Sequence, residues 1–430
     1  MTSGSCFSWT RRRFKVVHSY WGRIRGLNSN TKRYLTGTIL HSMGSSIWWL
    51  LYNLYLTSIG FDVGFIGLTD TLWLIACVVC SLPAGHISDR IGRKRALVIG
   101  LMGMVLCRCG IAAFSSRWLI IAFSILFGAF EAPFLVSAAP FLMENSTARE
   151  RTMLFTTSAS LNGLVSFIAT TGGGYLPRLF GNGLNIEAGS TPAYRAAMMM
   201  AVFASALALI PLFALKEEKK AVSLQPRTGL ARSIWPRLSN PKLMAKILIP
   251  QVLLGFGGGL LFPFLNLFYK QRFRVSDGAL GWIFGVMEII VALMVLGGGA
   301  LAERHGKIRS LLVARTLATP LLLVMGFVPS LSVTVAAHWL GRGLFRLGGP
   351  LYKAFAMEQF DEGERATGSS LLQMVWDFGG AVGPYASGLM QVRVGLGPVF
   401  VATTMLYALS LGCVYRFFGF QREVKHAVQS

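Results

Sequence analysis

Apolar runs of roughly 20 residues, the length at which a helix crosses a bilayer, recur along the chain and are broken by short polar, basic segments. The pattern predicts twelve spans. In the first half they cover 34–58, 63–86, 95–114, 117–142, 151–177 and 195–215. In the second they cover 244–269, 277–302, 309–329, 331–357, 364–391 and 396–419. Residues 34–215 and 244–419 therefore read as two six-helix units. The stretch 216–243 is polar and basic, with Lys216, Lys219, Lys220, Arg227, Arg232 and Arg237 beside Pro226 and Pro236, and reads as a linker. Residues 1–33 form a basic arm with interleaved aromatics such as Trp9, Tyr20 and Trp21, and 420–430 form a short tail. The arm has no apolar core of a signal peptide. It reads as a cytoplasmic segment, lying on anionic lipid or disordered.

The two units are copies of one another. Gly85–Arg95 reads GHISDRIGRKR and Gly299–Arg309 reads GALAERHGKIR, an offset of 214 residues. Both fit G-x-[IL]-x-[DE]-R-x-G-x-x-R, and both stand between apolar runs. The same offset carries Gly44 to Gly258, Gly64 to Gly278, Gly67 to Gly281, Glu144 to Glu358, Glu150 to Glu364, Arg151 to Arg365 and Gly174 to Gly388. An internal repeat of this length describes one fused, duplicated bundle.

Hydrophobic residues make up 53% of the chain and charged residues 14%, about half the charge of a soluble domain. Such a chain cannot cover itself with polar surface, so lipid is its solvent. The net charge of +23 raises nucleic acid as a partner. The basic residues sit between apolar runs, however, which is the positive-inside bias of a membrane protein and not a nucleic-acid footprint. With twelve spans, the arm, the Arg90–Arg95 loop, the linker and the tail with Arg416, Arg422 and Lys425 share one side. Both termini are then cytoplasmic, in a multi-pass protein of the cell membrane. Lys270, Arg272 and Arg274 break the rule on the other side. An even number of spans per unit makes the two copies parallel repeats about an axis along the membrane normal. Cys77, Cys80, Cys107 and Cys109 lie inside apolar helices and read as small core residues.

The duplicated loop has a physical reading. Gly85 and Gly299 let helices approach closely at the membrane edge. Gly92 and Gly306 permit a tight reversal. Asp89, Arg90, Arg93 and Arg95, with Glu303, Arg304 and Arg309 in the second copy, form a charge network able to latch one conformation. The loop between the second and third spans, repeated in weaker form between the eighth and ninth, resembles the signature of the major facilitator superfamily. The resemblance extends over nearly the whole chain. It implies an all-α integral membrane protein of twelve transmembrane helices in two pseudo-symmetric bundles that rock around a central cavity. It also implies that Glu144 and Arg151 are charge partners of the first loop, and Glu358 and Arg365 of the second. No subfamily is identified: the arginine that drug–proton antiporters carry in the fourth span is Ser124 here.

Ionisable residues inside spans are expensive and mark function by default. Four are acidic: Asp70, Glu131, Glu288 and Asp377. Asp70 falls near a span end and reads as solvated. Glu131 and Glu288 are candidates for a cation or a coupling proton, against the alternative of a fixed ion pair. His338, Arg342 and Arg346 are spaced by four and share one face of the tenth helix. The resemblance places that helix at the cavity, with the first, fourth and seventh. The stripe suits an anionic group, or else pairs structurally with Asp377. Arg108 and Arg315 are further bases within spans, Lys353 snorkels to the interface, and His41 is a proton site or a hydrogen-bonded core residue. Trp48 and Phe262 share a repeat register and are expected at the cavity, and Gln251 and Asn266 are expected to orient substrate.

No nucleophile–base pair, metal cluster, cofactor motif or phosphate loop appears, so the chain does not read as an enzyme. The expectation is a monomeric, secondary active transporter of a small solute by alternating access, coupled to protons. Its rivals are a drug or metabolite efflux pump, an organic-anion uptake system, and a non-transporting sensor on the same fold.

Overall fold

A computed structural model of the chain describes residues 28–216, 240–361 and 364–419. The basic arm up to residue 27, the linker from 217 to 239, the tail and the side chain of Arg151 lie outside the described residues. The described chain is helical. The first unit holds α1 (Ser29–Ser58), α2 (Val63–Ile91), α3 (Arg93–Ala113), α4 (Arg117–Glu144), α5 (Ala148–Gly173), a short α6 (Leu176–Leu184), α7 (Thr191–Leu207) and its continuation α8 (Leu209–Phe213). The second holds α9 (Pro241–Leu261), α10 (Leu265–Phe273), α11 (Asp277–His305), α12 (Lys307–Phe327), α13 (Leu331–Gln359), α14 (Arg365–Val394) and α15 (Gly397–Phe418).

Eight rods among the described residues are long and apolar enough to cross a membrane on hydropathy alone, counting α7–α8 and α9–α10 as one each. Four more, α1, α5, α13 and α14, are as long but more polar. Each of these four contributes residues to the space between the bundles, among them Ser46 of α1, Ser166 of α5, Arg342 of α13 and Pro384 of α14. Helices also run beyond the predicted apolar stretches, as α2 does into its charged loop. Bilayer thickness limits the apolar stretch and not the helix.

Local sequence sets the helix ends. Asp62 accepts the Phe65 N–H at 2.7 Å to start α2, and Ser276, its repeat partner, accepts the Ala279 N–H at 3.3 Å to start α11, as N-caps do. Gly92 and Gly306 end α2 and α11 with φ of 95° and 85°. With ψ near 150°, that is a conformation essentially reserved for glycine. The seventh predicted span is one helix in the pattern but two in the structure. Pro263 has no N–H to donate and breaks the run, leaving a 3₁₀ turn over Phe262–Phe264 between α9 and α10.

The bundles cross at two pseudo-symmetric seams, α2 against α14 and α5 against α11. At the first, Gly67 lies on the Pro384 carbonyl and Gly388 on the Val63 carbonyl. At the second, Gly281 lies on the Thr170 carbonyl and Gly174 on the Asp277 carbonyl. Each contact of the second seam is the first shifted by 214 residues. Small residues let membrane helices meet backbone to backbone. Thr71 strengthens the first seam, donating to the Ala381 carbonyl at 2.6 Å and accepting the Tyr385 N–H at 3.1 Å.

These seams sit at the end away from the duplicated loops. There Tyr194 of α7 donates to Asp277 at 2.9 Å, and Lys270 bonds both Asp277 and the Tyr194 hydroxyl, the latter at 2.7 Å. Lys270 thus has a structural task, and so do its neighbours. Arg272 caps the last carbonyls of α12, at Gly326 and Phe327, and Arg274 closes α10 with φ of 51°. The three cations that break the positive-inside pattern are held by protein partners or by a helix end.

At the loop end the picture reverses. A side chain at Gly85 or Gly299 would meet nothing within 4 Å. The close approach expected of these two glycines is absent in this conformation, because the loop-end halves of α2 and α11 face open space there.

Candidate functional site

A cavity of about 370 Å³ lies between the bundles, beside the two seams. Helices α1, α2 and α5 line one side, and the broken α9–α10, α11, α13 and α14 line the other. Its wall carries four aromatic rings, Trp49, Trp73, Phe262 and Phe284. Its charged residues are Asp70, Glu288 and Arg342.

Asp70 is 5% exposed and forms no hydrogen bond or ion pair with any described residue. It is thus at the cavity, not solvated as its place near a span end suggested. The repeat explains the placement. Positions 70 and 74 of α2 correspond to 284 and 288 of α11, and all four line the cavity. One unit carries its acid at the first position of this face and the other at the second. Arg342 lies flat on Phe262, its guanidinium carbon 3.7 Å from the ring centroid, a cation–π contact that orients the group without using its N–H donors.

The other sequence candidates divide by location. Phe262, Asn266, Glu288 and Arg342 are on the wall. Trp48 is not: it is buried against Tyr52 and Arg108. Trp49 takes the cavity position, because one residue turns the side chain about 100° round the helix. Glu131 sits behind the wall, where it accepts the Trp73 indole N–H at 2.6 Å. Its carboxylate is engaged by an aromatic wall residue and is not among the groups that line the cavity.

The basic stripe on α13 is split. His338 is buried at the Tyr269 hydroxyl, 3.1 Å away, Arg342 reaches the cavity, and Arg346 is exposed outside its wall. Successive steps of four residues advance about 40° round a helix, enough to send three side chains into three environments. Asp377, the expected partner of the stripe, instead accepts from Gln373 at 2.9 Å. His41 lies against Phe134 and 3.3 Å from the Ser45 hydroxyl. Gln251 is half-buried away from the wall, its side-chain oxygen unpaired among the described residues. Asn266 lines the cavity, but its amide is consumed by Asn53 and the Leu50 carbonyl. Arg108 is 2% exposed, bonded to Ser45 and Ser205 at 3.1 and 3.2 Å. Arg315 is buried between Phe345 and Tyr352.

At the loops, Arg93 bonds Asp89, reaches Glu144 at 3.5 Å and donates to Ser88 at 2.9 Å. In the second copy the cation that bonds Glu358 is Lys307, the repeat partner of Arg93. Lys307 is not among the residues expected at the second loop: the shared motif leaves its position open, although the 214-residue offset from Arg93 leads to it. Arg90, Arg95, Arg304 and Arg309 make no ion pair with described residues. Glu303 is likewise free of ion pairs, so the second loop is a single pair where the first is a small network. Arg365 caps α13, donating to the Met357 carbonyl at 3.1 Å.

A duplicated six-helix bundle with an aromatic, charged cavity on its pseudo-twofold axis defines a class of membrane transporters. The chain matches the model of the Major Facilitator Superfamily over residues 34–384 and 247–429, and it belongs to that superfamily. It is 22% identical over 402 residues to the uncharacterized MFS-type transporter YqjV of Bacillus subtilis (strain 168), with 90% of this chain and 93% of that protein covered. The nucleoside transporter NupG has a similar solved structure, with a TM-score of 0.70 at 15% identity, covering 92% of this chain and 100% of that one. A bacterial homolog of the human lysosomal transporter Spinster, inward-facing and occupied, gives 0.69 at 16%, covering 92% and 96%. At these identities the solved structures share the fold.

Proposed function

We propose that the protein is a proton-coupled secondary transporter that moves a small solute by alternating access and works as a monomer in the cell membrane. The observation that carries this reading is the asymmetry of the two ends. Glycine crossings and inter-bundle hydrogen bonds close one end, while Gly85 and Gly299 face open space at the other. With the basic loops and both termini on the cytoplasmic side, this conformation is open inward. Rocking the bundles would part the seams and bring the loop-end halves of α2 and α11 against the opposite bundle. The inward-facing state of the similar Spinster homolog supports the same assignment.

The coupling proton belongs on a carboxylate that faces the cavity, Asp70 or Glu288, since Glu131 is engaged by Trp73. A carboxylate there is protonated and released as access alternates. The test uses proteoliposomes with an internal pH dye, exposed to nucleosides, sugars, amino acids, organic anions and lipophilic cations. Solute-induced proton movement is expected, with loss of it in Asp70→Asn or Glu288→Gln; counterflow that persists in Glu288→Gln separates coupling from solute binding. Unchanged proton movement in both variants would overturn the coupling. Absence of counterflow for every solute that binds would overturn transport in favour of a sensor.

A further inference from the structure

We infer that the cavity selects a small zwitterion, with its ammonium group on Asp70 and its anionic group on Arg342, so that the bound solute bridges the two bundles. The inference deepens the transport reading and rests on it only in calling the ligand the cargo.

Asp70 belongs to α2 of the first unit and Arg342 to α13 of the second, and both line the same cavity. Neither has a hydrogen-bond or ion-pair partner among the described residues. Burying an ionised group without a partner is strongly unfavourable, so Asp70, 5% exposed, calls for a counter-charge from the ligand, while the half-buried Arg342 keeps its N–H donors open to an anionic group. The neutral polar groups nearby offer little else. The Asn53 amide N–H groups go to Asn266 and the Pro263 carbonyl, the Asn266 amide N–H goes to the Leu50 carbonyl, and Ser46 donates to Ser166 at 3.0 Å. Recognition therefore falls to the charges, and the aromatic wall takes an apolar body.

The alternatives each leave a mismatch. A simple cation on Asp70 would leave Arg342 without an ion pair, since Glu288, the other carboxylate of the cavity, forms none with it. A simple anion would face Asp70 and Glu288 together. A zwitterion satisfies Asp70 and Arg342 at once and leaves Glu288 as the single surplus charge, which a proton neutralises.

The experiment is a thermal-shift titration of the full-length purified protein with two matched series. One is phenylalanine, phenethylamine and 3-phenylpropionate; the other is leucine, isoamylamine and 4-methylvalerate. At least one zwitterion is expected to stabilise the protein roughly tenfold more tightly than its amine or acid, the scale of one hydrogen bond to a charged group. The variants should cross. Arg342→Ala should bring the amine level with the zwitterion, and Asp70→Asn should bring the acid level with it. A merely structural role for either residue would weaken all three ligands together. Should Arg342→Ala fail to fold, Arg342→Gln gives the same reading. Equal or tighter binding of a singly charged partner by the wild type, or no shift with either zwitterion, overturns the inference. Zwitterion binding without counterflow overturns transport and leaves the ligand class standing; flux of only a singly charged solute does the reverse.

Discussion

Asn53 and Asn266 hold the two bundles together through their side-chain amides. Asn53 donates to the Asn266 side-chain oxygen at 3.1 Å and to the Pro263 carbonyl at 2.6 Å, and Asn266 donates back to the Leu50 carbonyl at 3.0 Å. The break at Pro263 frees that carbonyl from helical bonding, so the kink in one unit is satisfied by a side chain of the other. Removing either amide strands buried polar groups, at about 1–3 kcal/mol. Asn53→Ala and Asn266→Ala are each expected to destabilise the protein, and the double variant by less than their sum, since they share partners. A thermal double-mutant cycle checks this; strict additivity would mean the pair is not coupled.

The seams predict a conformational bias. A leucine at Gly67 or Gly281 would overlap the carbonyl of Pro384 or Thr170. Either variant should populate the state open at the seam end. With the six native cysteines replaced, a single cysteine at the cavity residue Leu50 would then react faster with a membrane-impermeant maleimide in the Gly67→Leu background. Equal labelling rates would show that the seam yields without opening.

At the duplicated turns, Gly92 and Gly306 hold backbone angles that a side chain strains by about 1–3 kcal/mol. Gly92→Ala and Gly306→Ala should lower the melting temperature of the purified protein. Gly85→Ala should cost far less, because its surroundings are open in this conformation. Equal losses at the three positions would contradict the turn geometry.

The contact between Trp73 and Glu131 separates two roles for the acid. If Glu131 positions the indole, Glu131→Gln retains an acceptor for it and keeps solute affinity near wild type, whereas Glu131→Ala releases the ring and weakens binding by roughly tenfold. Isothermal titration of both variants distinguishes this from a proton-carrying role, in which Gln and Ala would both abolish pH-driven flux.

The hydrophobic pattern and the 214-residue register were enough to read the membrane class and the duplicated bundle, because bilayer thickness and repeat symmetry leave their marks on every span; the superfamily was read from the resemblance of the duplicated loop to its signature. The same register also holds the seam glycines and the Arg93–Lys307 equivalence, although the motif alone did not single them out. The cavity wall was legible only in part. Periodicity says which residues share a helix face, but not which neighbour that face meets. Trp49 replaced Trp48 at the wall, Glu131 moved behind Trp73, and Asp70 came inside, each through rotation or packing of a whole helix. Side chains one residue apart differ by about 100° round a helix. A site built where seven helical segments converge is therefore settled by how the bundles pack, and that long-range arrangement is not written in any local stretch of the chain.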